Sequence, residues 1–157
     1  MWETFVPDLI VTVIGAALTV AIAAVTFVLS RRYRETQALN LLVQELHHRR
    51  ALARIDALME IQNAEQSDDF ARVNASVLSI KEAIREARGL SRPVPGVQVP
   101  LSGMTSACNR YLELASRRPS RYWFFLTELR AEITAQVREL SRMNRRVAEL
   151  EPGAGSL

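Results

Sequence analysis

The sequence predicts an all-α protein: one N-terminal transmembrane helix followed by a cytoplasmic helical bundle of about four unequal helices. Three observations carry this. Residues 9–29, LIVTVIGAALTVAIAAVTFVL, hold no charged side chain. Beyond them, apolar residues recur at steps of three and four, and no stretch of convincing length alternates at period two. Good helix formers (Ala, Leu, Glu, Arg and Gln) dominate after residue 35, while the six Gly and six Pro cluster in a few places.

The uncharged stretch is 21 residues long. At about 1.5 Å rise per residue it spans about 30 Å, the thickness of a bilayer's hydrocarbon core. Its polar residues are threonines, whose hydroxyls can bond back to the helix backbone. A cleaved signal peptide would want a positive start, a shorter apolar stretch and a small-residue cleavage site. Here the start is acidic, and Arg31 and Arg32 follow the stretch at once. The span is therefore set at residues 9–30.

Charge orients it. All 20 Lys and Arg residues lie after residue 30, whereas Glu3 and Asp8 precede the stretch. Cationic flanks stay in the cytoplasm. Arg31, Arg32 and Arg34 thus predict an inner (cytoplasmic) membrane protein, single-pass, with residues 1–8 outside and the bulk of the chain inside. Trp2 and Phe5 suit one interface and Tyr33 the other. Within the span, Thr12, Gly15, Thr19, Ala23 and Thr26 follow at steps of three, four, four and three. Small residues in line let helix backbones approach closely in lipid, so this face is the candidate packing seam for a second copy or a partner's span.

No Gly or Pro occurs between Gly15 and Gly89. The span is therefore expected to run on as helix to about residue 66, with Leu39, Leu42, Leu46, Leu52, Ile55 and Met59 as its apolar positions. Ser67 is a natural N-cap, and Asp68 and Asp69 favour a helix start. Phe70, Val73, Val77, Ile80, Ile84 and Ala87 make the cleanest stripe in the chain. Arg85, Arg88 and Gly89 suit a helix end. Segments 31–66 and 69–88 are thus expected to form an antiparallel hairpin over 31–88.

Residues 89–103 contain three prolines and three glycines and read as an extended linker. Residues 104–151 read as a short helix, with Cys108, Tyr111, Leu112 and Ala115 on one face, and a long one from about 120 to 150. Leu126, Leu129, Ile133, Leu140, Met143, Val147 and Leu150 give the long helix a heptad-like, coiled-coil seam. Gln136 breaks the seam, with apolar Val137 beside it. Residues 152–157 are expected to be a disordered tail.

Candidate chemistry is sparse. The only histidines are His47 and His48, and Glu45 stands three residues before the second. A di-iron site of the Glu-x-x-His type needs a second such pair and two more glutamates from other helices. One chain cannot supply them, so no metal is expected. The only cysteine, Cys108, excludes an internal disulfide and a multi-Cys zinc site. It has no base beside it, and reads as a small buried hydrophobe. No phosphate-binding glycine loop, nucleophile elbow or paired-acid motif is present. No cofactor, catalytic residue or small-molecule substrate is expected. The basic residues of 138–146 alternate with Glu139 and are followed by Glu149 and Glu151, so nucleic acid is not the expected partner.

One segment stands out. Arg117, Arg118 and Arg121 abut Tyr122, Trp123, Phe124 and Phe125. Arginines beside rings can lie on an anionic membrane surface; the same rings can equally fill a helix corner of the core. A membrane-anchored bundle is similar in outline to a bacterial chemoreceptor, but the second span and long signalling hairpin of that family are missing, so the likeness implies no function.

The expected role is a membrane-anchored helical interaction or scaffold protein without catalytic activity, contacting membrane lipid and either a protein partner or a second copy. An accessory or regulatory subunit of a membrane transporter or enzyme is the alternative, and an enzyme with an unfamiliar site the third.

Overall fold

The computed structural model describes residues 2–53 and 60–156. The expected apolar positions Ile55 and Met59 lie outside them. The described residues are helical, without a strand. Four long helices occur: α1 (Trp2–His48), α2 (Asp68–Leu90), α3 (Pro95–Arg117) and α4 (Tyr122–Met143). The chain divides into two compact units, Met1–Arg34 and Glu35–Leu157.

The first unit is the leading part of α1. Every side chain from Val13 to Arg34 is exposed. The helix is long and apolar enough to cross a membrane. The Thr19 hydroxyl donates to the Gly15 carbonyl at 2.8 Å, and Ser30 to Phe27 at 2.9 Å. These hydroxyls are satisfied within the helix itself.

The second unit builds its own core. The end of α1 runs antiparallel to α2: Arg92, just past α2, reaches Glu35, while Arg49 donates to Ser79. α3 and α4 are also antiparallel, with Arg110 bonded to Glu128 and Gly103 against Gln136. Leu39, Val43, Leu46, Val77, Ile80 and Ile84 are fully buried where the helices meet. Burying each such side chain favours folding by about 1.5–3 kcal/mol. The α2 stripe packs as its spacing requires, and the Ser67 hydroxyl accepts from the Asp69 N–H at 3.2 Å to cap that helix.

Three boundaries differ from expectation. α1 stops at His48, well short of residue 66, although no breaker follows. Arg49 turns extended and a short 3-10 turn, Arg50–Leu52, carries Leu52 into the core. The Leu46 carbonyl accepts the Arg49 N–H at 3.3 Å and also the Gly153 N–H at 3.0 Å. A distant segment therefore caps the helix.

The linker expected at 89–103 shrinks to residues 91–94, because α2 reaches Leu90 and α3 begins at Pro95. Pro95 occupies the first turn of α3, where its missing N–H costs nothing. Pro100 gives up one backbone bond, but Val97, Pro100, Leu101 and Met104 are all buried. They extend the Cys108–Tyr111–Ala115 stripe backward by about three turns.

α4 ends at Met143, not near 150. The chain then runs back beside α1, where Asn40 clamps it. The Asn40 amide donates to the Arg146 carbonyl at 3.0 Å and accepts the Ala148 N–H at 2.8 Å. The tail expected to be disordered is packed: Pro152 and Gly153 are buried, and Ala154–Ser156 forms a 3-10 turn.

Candidate functional site

The seam residues Gly15, Thr19, Ala23 and Thr26 lie on the exposed surface of α1, and Thr12 lies in the same helix. A Cβ added at Gly15 would touch nothing within 4 Å. Arg31, Arg32 and Arg34 are exposed on the turns that follow.

The arginine and aromatic segment divides between core and surface. Tyr122 is fully buried, and its hydroxyl donates to Asp69 Oδ2 at 2.8 Å. Its ring meets Phe70 edge-on at 5.3 Å and Trp123 at 4.6 Å. Trp123, Phe124 and Phe125 are half-buried. Arg121 stacks over Phe124 at 5.1 Å and pairs with Glu60 at 3.1 Å. Arg117 pairs with Glu113 at 2.6 Å; Arg118 is exposed at the end of α3. Asp69 begins α2 and Arg92 follows its end. The 23 residues of α2 separate these places by about 30 Å, so the aromatic segment sits at the end of the bundle remote from Glu35.

The two histidines hold the tail. His47 Nδ1 donates to the Glu151 carbonyl at 2.8 Å, and His48 Nδ1 to that of Gly155 at 3.2 Å. Arg130 anchors the Glu151 carboxylate at 2.6 Å. Glu45 bonds Arg49, not a histidine. Among the described residues no group of three potential ligands could hold a metal ion.

Cys108 is fully buried, and desolvation pushes its thiol up to about 11. At neutral pH it is the protonated, unreactive form. Burial likewise raises the Tyr111 and Tyr122 phenols, and the Asp69 charge adds to both. The Tyr111 hydroxyl has no hydrogen-bond partner among the described residues.

A groove of about 460 Å³ has Asn40, His47, His48, Arg145 and Arg146 among its lining residues, and two more lie between helices of the second unit. One, of about 610 Å³, lies between α3 and α4, with Arg110, Tyr111, Glu128 and Glu132 among its lining residues. The Tyr111 hydroxyl is shielded in the core, so this groove presents the ring and not the phenol. The other, of about 390 Å³, lies between the end of α1 and α2, with Leu41 and Leu90 exposed on its walls. Ser106, Arg110, Glu128 and Glu132 are among the residues of the first of these two and Glu45, Arg49, Ser79 and Glu82 of the second, and in each the arginine is paired with an acid, Arg110 with Glu128 and Arg49 with Glu45.

Sequence reasoning missed three structural residues: Glu35, Asn40 and Gly153. Glu35 is the one buried charged residue in the described core, 3% exposed, and pairs with Arg92 at 2.6 Å. Gly153 has a φ of +78°, the left-handed region. The Pro152-Gly153 dipeptide was the available signal for a specific turn, but it does not name the surface it turns against. No protein-family model matches the sequence, and no curated protein and no solved structure resembles it at a significant level.

Proposed function

We propose that this chain is a non-catalytic interaction protein, anchored by α1 in the inner membrane with its N-terminus out, which holds the helical unit at the cytoplasmic surface to bind or organise a protein partner. One observation carries the reading. The stretch from Val13 to Ser30 has every side chain uncovered, while Glu35–Leu157 closes a core without it. An uncharged surface of that length in water would be strongly unfavourable, and lipid removes the cost. Arg31, Arg32 and Arg34 support the orientation.

In both interhelical grooves the arginine is held by an acid, Arg110 by Glu128 and Arg49 by Glu45, which favours an ion-paired contact surface over a reactive site. A role as accessory subunit of a membrane transporter or enzyme draws on the Gly15–Thr19–Ala23–Thr26 face, which is narrow enough for close packing. Purification of the full chain from its native membrane in mild detergent separates the readings. Stoichiometric recovery of a polytopic protein supports the accessory role. Recovery of a soluble partner or of self-association supports the scaffold. Recovery of the chain in the soluble fraction without detergent would refute both.

A further inference from the structure

The second unit has an exposed apolar corner where the anchor joins it. Leu90 ends α2 at 60% exposure, Val94 precedes α3 at 43%, and Val99 stands on the first turns of α3 at 66%. Met143, at 59%, ends α4 beside them, since a Cβ on Gly96 would lie 3.8 Å from its Cγ. Between Leu90 and Val94, Arg92 donates to Glu35 from both its backbone N–H and its guanidinium. The corner is therefore fastened to the first residue of the unit. Only four residues lie between Ser30 and Glu35, so even a fully extended chain places Glu35 within about 18 Å of the end of the apolar stretch.

Charge marks the same corner. Residues 88–99 contain Arg88 and Arg92 and no acid; residues 140–148 contain Arg142, Arg145 and Arg146 and no acid. Glu35 answers Arg92 and Glu139 answers Arg142. Glu86, one turn before Leu90, and Glu149, three residues after Arg146 and paired with Arg138 at 3.6 Å, are the next acids in sequence. Arg145 and Arg146 are exposed and pair with no acid among the described residues. The remote end is mixed: residues 60–69 hold Glu60, Glu65, Asp68 and Asp69 and no base, while Arg117, Arg118 and Arg121 lie there too, Arg121 paired with Glu60.

We infer that the corner formed by Leu90, Val94, Val99 and Met143 rests in the headgroup region of an anionic bilayer, with Arg145 and Arg146 on lipid phosphates. Apolar side chains with arginines close to them in sequence, on a chain tethered within reach, match the two requirements of an interfacial contact. This rests on the anchor reading above. It also gives the surface role to this corner and leaves Tyr122 to the core.

The test uses the full chain in vesicles. An environment-sensitive fluorophore is placed at Val94→Cys or Val99→Cys, with Leu78→Cys as the control, in a Cys108→Ala background. Leu78 is also exposed, but lies twelve residues back along α2, about 18 Å from Leu90. With phosphatidylglycerol present, nitroxide-lipid quenching at 94 and 99 should exceed that at 78 several-fold. It should fall in pure phosphatidylcholine and with Arg145→Glu plus Arg146→Glu. Amide exchange across 90–99 in the unmodified chain should slow in the same lipid-dependent way, which covers variants that fold poorly. Equal quenching at all three sites overturns the inference. So does shielding that follows protein density instead of lipid charge, which would assign the corner to a second copy. Flotation of the same vesicles reads the anchor separately: a floating chain with aqueous labels defeats this inference alone, and a chain that does not float defeats the anchor.

Discussion

Replacing Gly153 with alanine should release the C-terminal tail from the end of α1. Gly153 holds φ at +78°, a region that costs an alanine about 1–2 kcal/mol. An added Cβ would also lie 2.1 Å from the Leu52 carbonyl oxygen and 2.5 Å from the Ala53 nitrogen. Both are backbone atoms, so no rotamer change relieves the clash and the tail must lift. Lifting breaks the Gly153 to Leu46 and His47 to Glu151 hydrogen bonds, each contributing about 1 kcal/mol. The half-exposed Arg130–Glu151 pair adds less than about 1 kcal/mol. The loss has a ceiling, because a detached tail has nothing more to lose. Gly153→Ala and deletion of 151–157 should therefore destabilise the unit equally, by about 3 kcal/mol. Urea unfolding of the full chain in detergent, followed at Trp123 in a Trp2→Phe background, measures this. Trypsin should also cut more readily after Arg145 and Arg146. A loss below about 0.5 kcal/mol, the scatter of ordinary surface substitutions, with those sites still protected would refute the strap.

Other perturbations have defined outcomes. Arg92→Ala should cost more than Glu35→Leu, about 2–3 kcal/mol against less than half of that, because it strands a buried carboxylate while the other removes the need for a partner; the same urea titration orders the two, and the reverse order contradicts the account. Tyr122→Phe should cost about 1 kcal/mol and leave the helical circular dichroism unchanged, since it removes only the bond to Asp69. Alkali should destabilise the fold. The folded Cys108 thiol titrates at about 11 against about 9 unfolded, so the folded state holds more protons between these values and stability falls as pH rises through them. The loss approaches about 3 kcal/mol above pH 11. The raised phenols of Tyr111 and Tyr122 act in the same direction, and Cys108→Ala should flatten the pH 9–11 part of the curve.

Local pattern made parts of this fold legible. The α2 stripe from Val73 to Ala87 and its Ser67 cap depend on residues within one or two turns of each other, and they formed as read. The apolar stretch was legible for the same reason. Boundaries set by remote contacts were not. α1 ends at His48 because Leu52 turns into the core and Gly153, more than a hundred residues away, caps Leu46. α4 ends at Met143 although its stripe continues, because the chain turns at 145–146 and Asn40 holds Arg146 and Ala148. Prolines misled over 89–103, where Pro95 starts a helix and Pro100 is buried in one. At the aromatic segment the residue types were evident, but the Asp69 partner that takes Tyr122 inward is 53 positions away.

The central claim is that the uncovered helix crosses a bilayer and leaves Glu35 onward inside. Protease treatment of a C-terminal tag in intact and in permeabilised cells tests it most directly. The tag should survive in intact cells and be lost once the membrane is opened. Cleavage in intact cells would place the arginine-flanked end outside and contradict the account.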